Sequence, residues 1–153
     1  MFSKEESKRL NLEFWNGFEE YMSKYKSSNG RKINWLKYPS EIKTIFIRLE
    51  VNSKSIKLCF DIQNKDDSLR EILFEQMTEL KVVLEEITEE NPEWIENEFV
   101  NNQYISRIVW ENNKYNFYKK NETEFIYNYL KERLVKFDIF YQEYKDILVS
   151  LAN

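Results

Sequence analysis

Residues 44–66 read TIFIRLEVNSKSIKLCFDIQNKD, and their alternation decides the fold. Ile45, Ile47, Leu49 and Val51 fall on one face of an extended chain. After the polar turn Asn52–Ser55, Ile56, Leu58, Phe60 and Ile62 do the same. Period-two alternation over that length predicts two half-buried strands joined as a hairpin. Opposed residues of an antiparallel pair share a face, so the apolar sets meet only if Val51 pairs with Ile56. That register sets Leu49 against Leu58, Ile47 against Phe60 and Ile45 against Ile62. The other face pairs Glu50 with Lys57, Arg48 with Cys59, Phe46 with Asp61 and Thr44 with Gln63.

Helical periodicity flanks the hairpin. Ser3 with Glu6 forms a capping-box start, and Leu10, Phe14, Phe18, Met22 and Tyr25 then recur at helical spacing. Ser27–Gly30 breaks the chain, and Lys32–Tyr38 (KINWLKY) reads as a short strand ended by Pro39. Ser68 with Glu71 caps a second helix whose stripe runs from Leu69 through Leu73, Leu80 and Leu84 to Ile87. The acidic run Glu85–Glu98, interrupted by Pro92, reads as a solvated helix end or loop anchored by Trp94 and Phe99. Tyr104–Glu111 and Tyr115–Lys119 read as a second hairpin turning at Asn112–Asn113, because asparagine tolerates positive φ. Asn121 with Glu124 opens a last long helix. The predicted order is α-β-β-β-α-β-β-α. It describes one α+β domain over 1–153, with a mostly antiparallel sheet of four to five strands flanked by three helices.

Composition narrows the chemistry. The 153 residues are 16% aromatic with only 2 Gly and 2 Pro, which favours long regular elements around a sizeable core. No histidine is present, which removes Ser-His-Asp and Cys-His triads and His-ligated zinc. Cys59 stands alone, so neither an internal disulfide nor a thiolate metal site can form, and it reads as a small buried or half-buried hydrophobe. The opening MFSKEESKRL lacks a signal peptide's apolar core, and no apolar run approaches spanning length. The expectation is a cytoplasmic protein with no membrane partner. A net charge of −4 disfavours non-specific nucleic-acid binding, which needs cations to displace phosphate counterions.

The second strand of the first hairpin ends by placing Asp61, Gln63 and Lys65 along one face, just before a capped helix. In an α-β-β-β-α order this resembles the place where restriction-endonuclease-like folds keep their metal. Gln63-Asn64-Lys65 is similar to the Q-x-K form of the PD-(D/E)XK motif. Such a site needs carboxylates for Mg²⁺ or Mn²⁺ and a lysine to steady the attacking water or the phosphate. The catalytic candidates are Asp61, Gln63 and Lys65, with Asp61 and Asp66 as metal ligands; no other cofactor is expected. The register works against this reading. It offers Thr44 opposite Gln63, while Glu50 lies about six residues, or roughly 20 Å, away along the strand. The plainer reading pairs Asp61 with the diagonal Arg48, an ion pair contributing at most about 1 kcal/mol if exposed. Asp66-Asp67-Ser68 is then a helix cap.

The aromatic series Phe125, Tyr129, Phe137, Phe140, Tyr141 and Tyr144 is wider than one core-facing stripe needs. Either the last helix packs on two sides, or it offers a surface to a protein partner or a second copy. Five phrases in order carry a family resemblance: FW at Phe14–Trp15, KINWL at Lys32–Leu36, IFIRLE at Ile45–Glu50, RE-LFEQ-ELK across Arg70–Lys81, and ISRI at Ile105–Ile108. Together they resemble the bacterial domain-of-unknown-function family 4268. The resemblance implies a stand-alone protein or a C-terminal domain, in a family some of whose members are nuclease-associated, and it supplies no catalytic residues. It leaves Arg70, Glu71, Glu75 and Gln76 as polar residues of interest on the second helix. The expected function is a non-catalytic interaction or accessory module with a degenerate nuclease-like fold. The alternatives are an active metal-dependent nuclease and a secretion-chaperone-like dimer that binds extended peptides.

Overall fold

The structure, a computed structural model, describes residues 2–153. Among these, α1 (Lys4–Met22) is followed by the hairpin β1 (Ile45–Val51) and β2 (Ile56–Ile62). Next come α2 (Asp67–Glu79), α3 (Lys81–Thr88), β3 (Glu93–Val100), β4 (Gln103–Asn112) and α4 (Thr123–Ala152). The four strands form one antiparallel sheet in the order β1-β2-β4-β3, so the class is α+β. The β1–β2 register is the one the apolar faces dictate, from Val51 opposite Ile56 to Ile45 opposite Ile62. Among the described residues no helix is long and apolar enough to cross a membrane.

Three segments differ from the sequence reading. Lys32–Tyr38 is a loop. The Asn34 side chain accepts from the amides of Leu36 and Lys37, folding the chain back, while Trp35 and Tyr38 are driven into the core. The long second helix breaks at Leu80 into α2 and α3. Thr78 donates its hydroxyl to the Phe74 carbonyl, a back-bond that bends helices, and the next turn does not continue. The second hairpin lies one element earlier than expected. Its turn is Asn101–Asn102, with φ of 50° and 64°, and the acidic segment forms its first strand, β3. Asparagine supplies the positive φ, but at this pair rather than at Asn112–Asn113. Tyr115–Lys119 is a connector, its Phe117 packed edge-on against Phe14 at 4.8 Å.

The core lies on one face of the sheet. Ile47, Leu58, Phe60, Ile62, Ile108 and Trp110 meet α4, where Phe137 sits 5.8 Å from Phe60 and 6.0 Å from Trp110. On its far side α4 carries α1, whose Phe14 carbonyl accepts from the Tyr127 hydroxyl at 2.6 Å. Gly17 allows that approach, because a Cβ there would stand 2.4 Å from the same hydroxyl oxygen. The last helix is therefore packed on two sides. Phe137, Phe140 and Tyr141 are fully buried, Tyr129 nearly so, and only Phe125 of the series is well exposed, stacked on Tyr115. The buried Asp138 ties the loop after α1 to this helix. It accepts from the Ser27 hydroxyl, the Ser28 amide and the Tyr38 hydroxyl, at 2.9, 2.7 and 2.6 Å.

Candidate functional site

The second face of the sheet carries no helix, and alternation decides what it presents. β1 contributes Phe46, Arg48 and Glu50; β2 contributes Lys57, Cys59 and Asp61; β4 contributes Ile105, Arg107 and Val109. Cys59, Ile105 and Val109 are buried yet stand apart from the helix-side core. Burial pushes the Cys59 thiol up to about 12, so it is a neutral packing group at physiological pH.

At the centre, Asp61 lies directly opposite Arg107 across β2 and β4. Asp61 is 1% exposed and Arg107 8%. The guanidinium grips both carboxylate oxygens, with Nε donating to Oδ1 at 2.9 Å and Nη2 to Oδ2 at 3.1 Å. The same Nη2 reaches Glu50 Oε1 at 3.4 Å. Arg48, the partner expected from the diagonal, is a looser neighbour, its Nε 3.8 Å from Oδ2. Its guanidinium lies 4.6 Å over the Phe46 ring and is half exposed. Burial pushes the Asp61 carboxyl above its ordinary range, and Arg107 offsets only part of that rise. Burial also opposes the charge on Arg107, but the bond to Asp61 outweighs it and holds the guanidinium above its usual value. Around this pair is a hollow of about 210 Å³ bordered by Arg48, Glu50, Gln63 and Ile105.

The remaining sequence candidates disperse. Gln63 borders the hollow, and its amide donates to Thr44 O at 2.7 Å, which extends the ladder one step past β2. With no strand at 32–38, the Gln63-Asn64-Lys65 phrase follows the second strand of the chain, not the third. Lys65 is exposed and lines a different hollow, beside Asp67, Arg70 and Tyr104. Asp66 caps α2, its Oδ1 accepting from the Leu69 amide at 2.9 Å. Among the described residues no three His, Cys, Asp or Glu side chains converge as a metal site.

Two arginines matter more than their sequence context suggests. Arg107 lies in the phrase ISRI, where alternation with Ile108 puts it on the open face; only the β2–β4 pairing brings it to Asp61. Arg70 is buried and acts as a clamp. It donates to Asn64 O at 2.8 Å and to Asn97 Oδ1 at 3.0 and 2.8 Å, and pairs with Asp67 at 2.6 Å. Asn97 sits at the bulge of β3 with φ 57°, so Arg70 locks the turn after β2 to that irregular strand. Glu71 borders the hollow beside this clamp, while Glu75 is exposed and Gln76 donates to Glu79 on the same helix surface.

A family model described as Domain of unknown function (DUF4268) matches residues 10–145, spanning every element from α1 to most of α4. No curated protein and no solved structure matches the chain.

Proposed function

The chain belongs to the DUF4268 family, whose description assigns no activity, and we propose that it acts as a non-catalytic interaction module. The observation carrying this reading is the Asp61–Arg107 pair. A carboxylate that gives both oxygens to one guanidinium has little left to offer a cation, and a Mg²⁺ ion requires several oxygen ligands held in octahedral geometry. The pair instead braces the uncovered sheet face, holding β2 to β4 where no helix does so. Glu50, Glu93, Glu98 and Glu111 also lie toward this side of the sheet, and they disfavour a polyphosphate backbone as the ligand. A protein partner fits the exposed Phe46 beside the half-exposed Arg48 better.

The test separates bracing from catalysis. Removing one partner of a buried pair strands the other, at a cost of about 3–5 kcal/mol. Glu50 remains beside Arg107, so Asp61→Ala is expected at the lower end, about 3 kcal/mol by urea unfolding. A metal-binding carboxylate behaves in the opposite way, since its removal relieves repulsion or leaves stability unchanged. Plasmid and single-stranded DNA are expected to stay intact with the protein in Mg²⁺ or Mn²⁺. Metal-dependent cleavage that a folded Lys65→Ala variant loses would overturn the proposal in favour of the PD-(D/E)XK-type nuclease.

A further inference from the structure

The two edges of the sheet are guarded unequally. β3 follows Pro92, is bulged between Ile95 and Glu98 with Asn97 at positive φ, and carries Glu93, Glu96 and Glu98. Each of these devices discourages another strand from pairing there. β1 has no proline, no bulge and no lysine over Ile45–Val51. Its backbone polarity can be worked out. Gln63 N donates to Thr44 O at 2.7 Å and Asn52 N to Ser55 O at 3.0 Å, so the even-numbered residues of β1 face β2. The odd-numbered residues turn their N–H and C=O groups toward the free edge. Of these, Ile45 is already satisfied, its amide donating to Ile42 O and its carbonyl accepting from the Ser40 hydroxyl. Among the described residues nothing bonds the outward groups of Ile47, Leu49 and Val51, a five-residue free stretch centred on Leu49.

We propose that this edge pairs with the β1 of a second copy of the chain, antiparallel about a two-fold axis at Leu49, making one continuous eight-stranded sheet. The proposal names the partner for the interaction-module reading, on which it rests. Charge selects the register. An axis at Arg48 would oppose Arg48 to itself, and one at Glu50 would oppose Glu50 to itself. The axis at Leu49 opposes Arg48 to Glu50 of the copy twice over, and Ile47 to Val51. It also coincides with the midpoint of the free stretch, a separate observation. Both charged side chains are about half exposed, at 47% and 43%, so they can turn toward a neighbour. Three outward residues per copy give six backbone hydrogen bonds over a small area. That predicts association at micromolar concentrations and above, not a permanent dimer.

Sedimentation equilibrium of the full chain from a few to several hundred micromolar is the direct test, with a reversible monomer–dimer equilibrium expected. Arg48→Glu sets like charges opposite each other in two places and should weaken the dimer about tenfold. The swapped double variant Arg48→Glu with Glu50→Arg should recover most of that loss, each variant being checked for native circular dichroism. Amide exchange gives a readout that needs no substitution: Ile47, Leu49 and Val51 should slow with concentration. A monomer throughout, or a dimer indifferent to these charges and amides, overturns the edge assignment. Neither result touches the interaction-module reading, which is overturned by metal-dependent cleavage that a folded Lys65→Ala variant loses.

Discussion

At the scale of single residues, two buried carboxylates divide the molecule's polar interior, and the sequence revealed them unequally. Asp61 was visible because strict alternation places it opposite the apolar residues of its strand, but its partner was not. The diagonal Arg48 could be read within one hairpin, whereas Arg107 is 46 positions away and meets Asp61 only when β4 docks beside β2. Asp138 gave no signal at all, since an aspartate on a long helix reads as solvated. It is 1% exposed because the loop after α1 folds back and delivers three donors to it. Its removal is therefore expected to cost stability without touching the open face. Asp138→Ala leaves the Ser27 and Tyr38 hydroxyls and the Ser28 amide without their acceptor, at about 1–3 kcal/mol for each group left unsatisfied. Water entry and relaxation reduce the sum, so about 3 kcal/mol is expected by urea unfolding. Asp138→Asn, which keeps one acceptor oxygen, should recover part of it. An unfolding midpoint that does not move in Asp138→Ala would show that the loop is not held by this carboxylate.

At the scale of elements, the β1–β2 hairpin was legible to the residue because its information is local: two alternating runs, one polar turn and a single register that matches the faces. The β3–β4 hairpin was not, because β3 alternates poorly. Its glutamates and the bulge after Ile95 hide the period of two, and the sequence offers two Asn-Asn pairs for one turn. The physical rule was right, and tertiary pairing chose the pair to which it applies. Asn101 and Asn102 both sit at positive φ, the arrangement of a two-residue turn that matches strand twist. A β-branched side chain in that conformation carries a penalty of roughly 1–2 kcal/mol. Asn102→Val should lower stability by about that amount, while Asn102→Gly, free of the penalty, should be neutral or slightly stabilising. The corresponding changes at Asn113, which has no left-handed conformation to protect, should have little effect. If Asn113→Val proves the costlier of the two in thermal unfolding, the hairpin is misassigned. The helix break at Leu80 was hidden in the same way, since periodicity alone would carry the stripe straight through; the Thr78 back-bond to Phe74 O lies just before it.

At the scale of the whole molecule, folding removes four tyrosine hydroxyls from water, and this governs how stability responds to alkali. Tyr38, Tyr127, Tyr129 and Tyr141 are all buried, each hydroxyl held above its ordinary range first by that burial. Asp138 adds to the effect at Tyr38, whereas Arg133 beside Tyr129 subtracts from it, leaving that group at about 12. Cys59, pushed to about 12 by burial, behaves alike. Every one of these groups is neutral when protonated, so the native state keeps protons that the unfolded chain has released. Above the unfolded values, near pH 9 for the thiol and 10 for the tyrosines, the unfolded state binds fewer protons and stability must fall as pH rises. Each fully protected group contributes about 1.4 kcal/mol per pH unit across its window, which for Tyr129 and Cys59 closes near pH 12. Two or three such groups acting together would remove about 6–13 kcal/mol over two to three pH units, comparable to a typical domain's margin of about 5–15 kcal/mol. Urea midpoints should therefore be flat from pH 7 to 8.5 and drop steeply between pH 9.5 and 11. Tyr129→Phe removes one of the titrating hydroxyls while keeping its ring beneath Arg133, so its decline should be shallower by one group's share. A profile equally steep in the variant would mean that the Tyr129 hydroxyl reaches water in the folded protein.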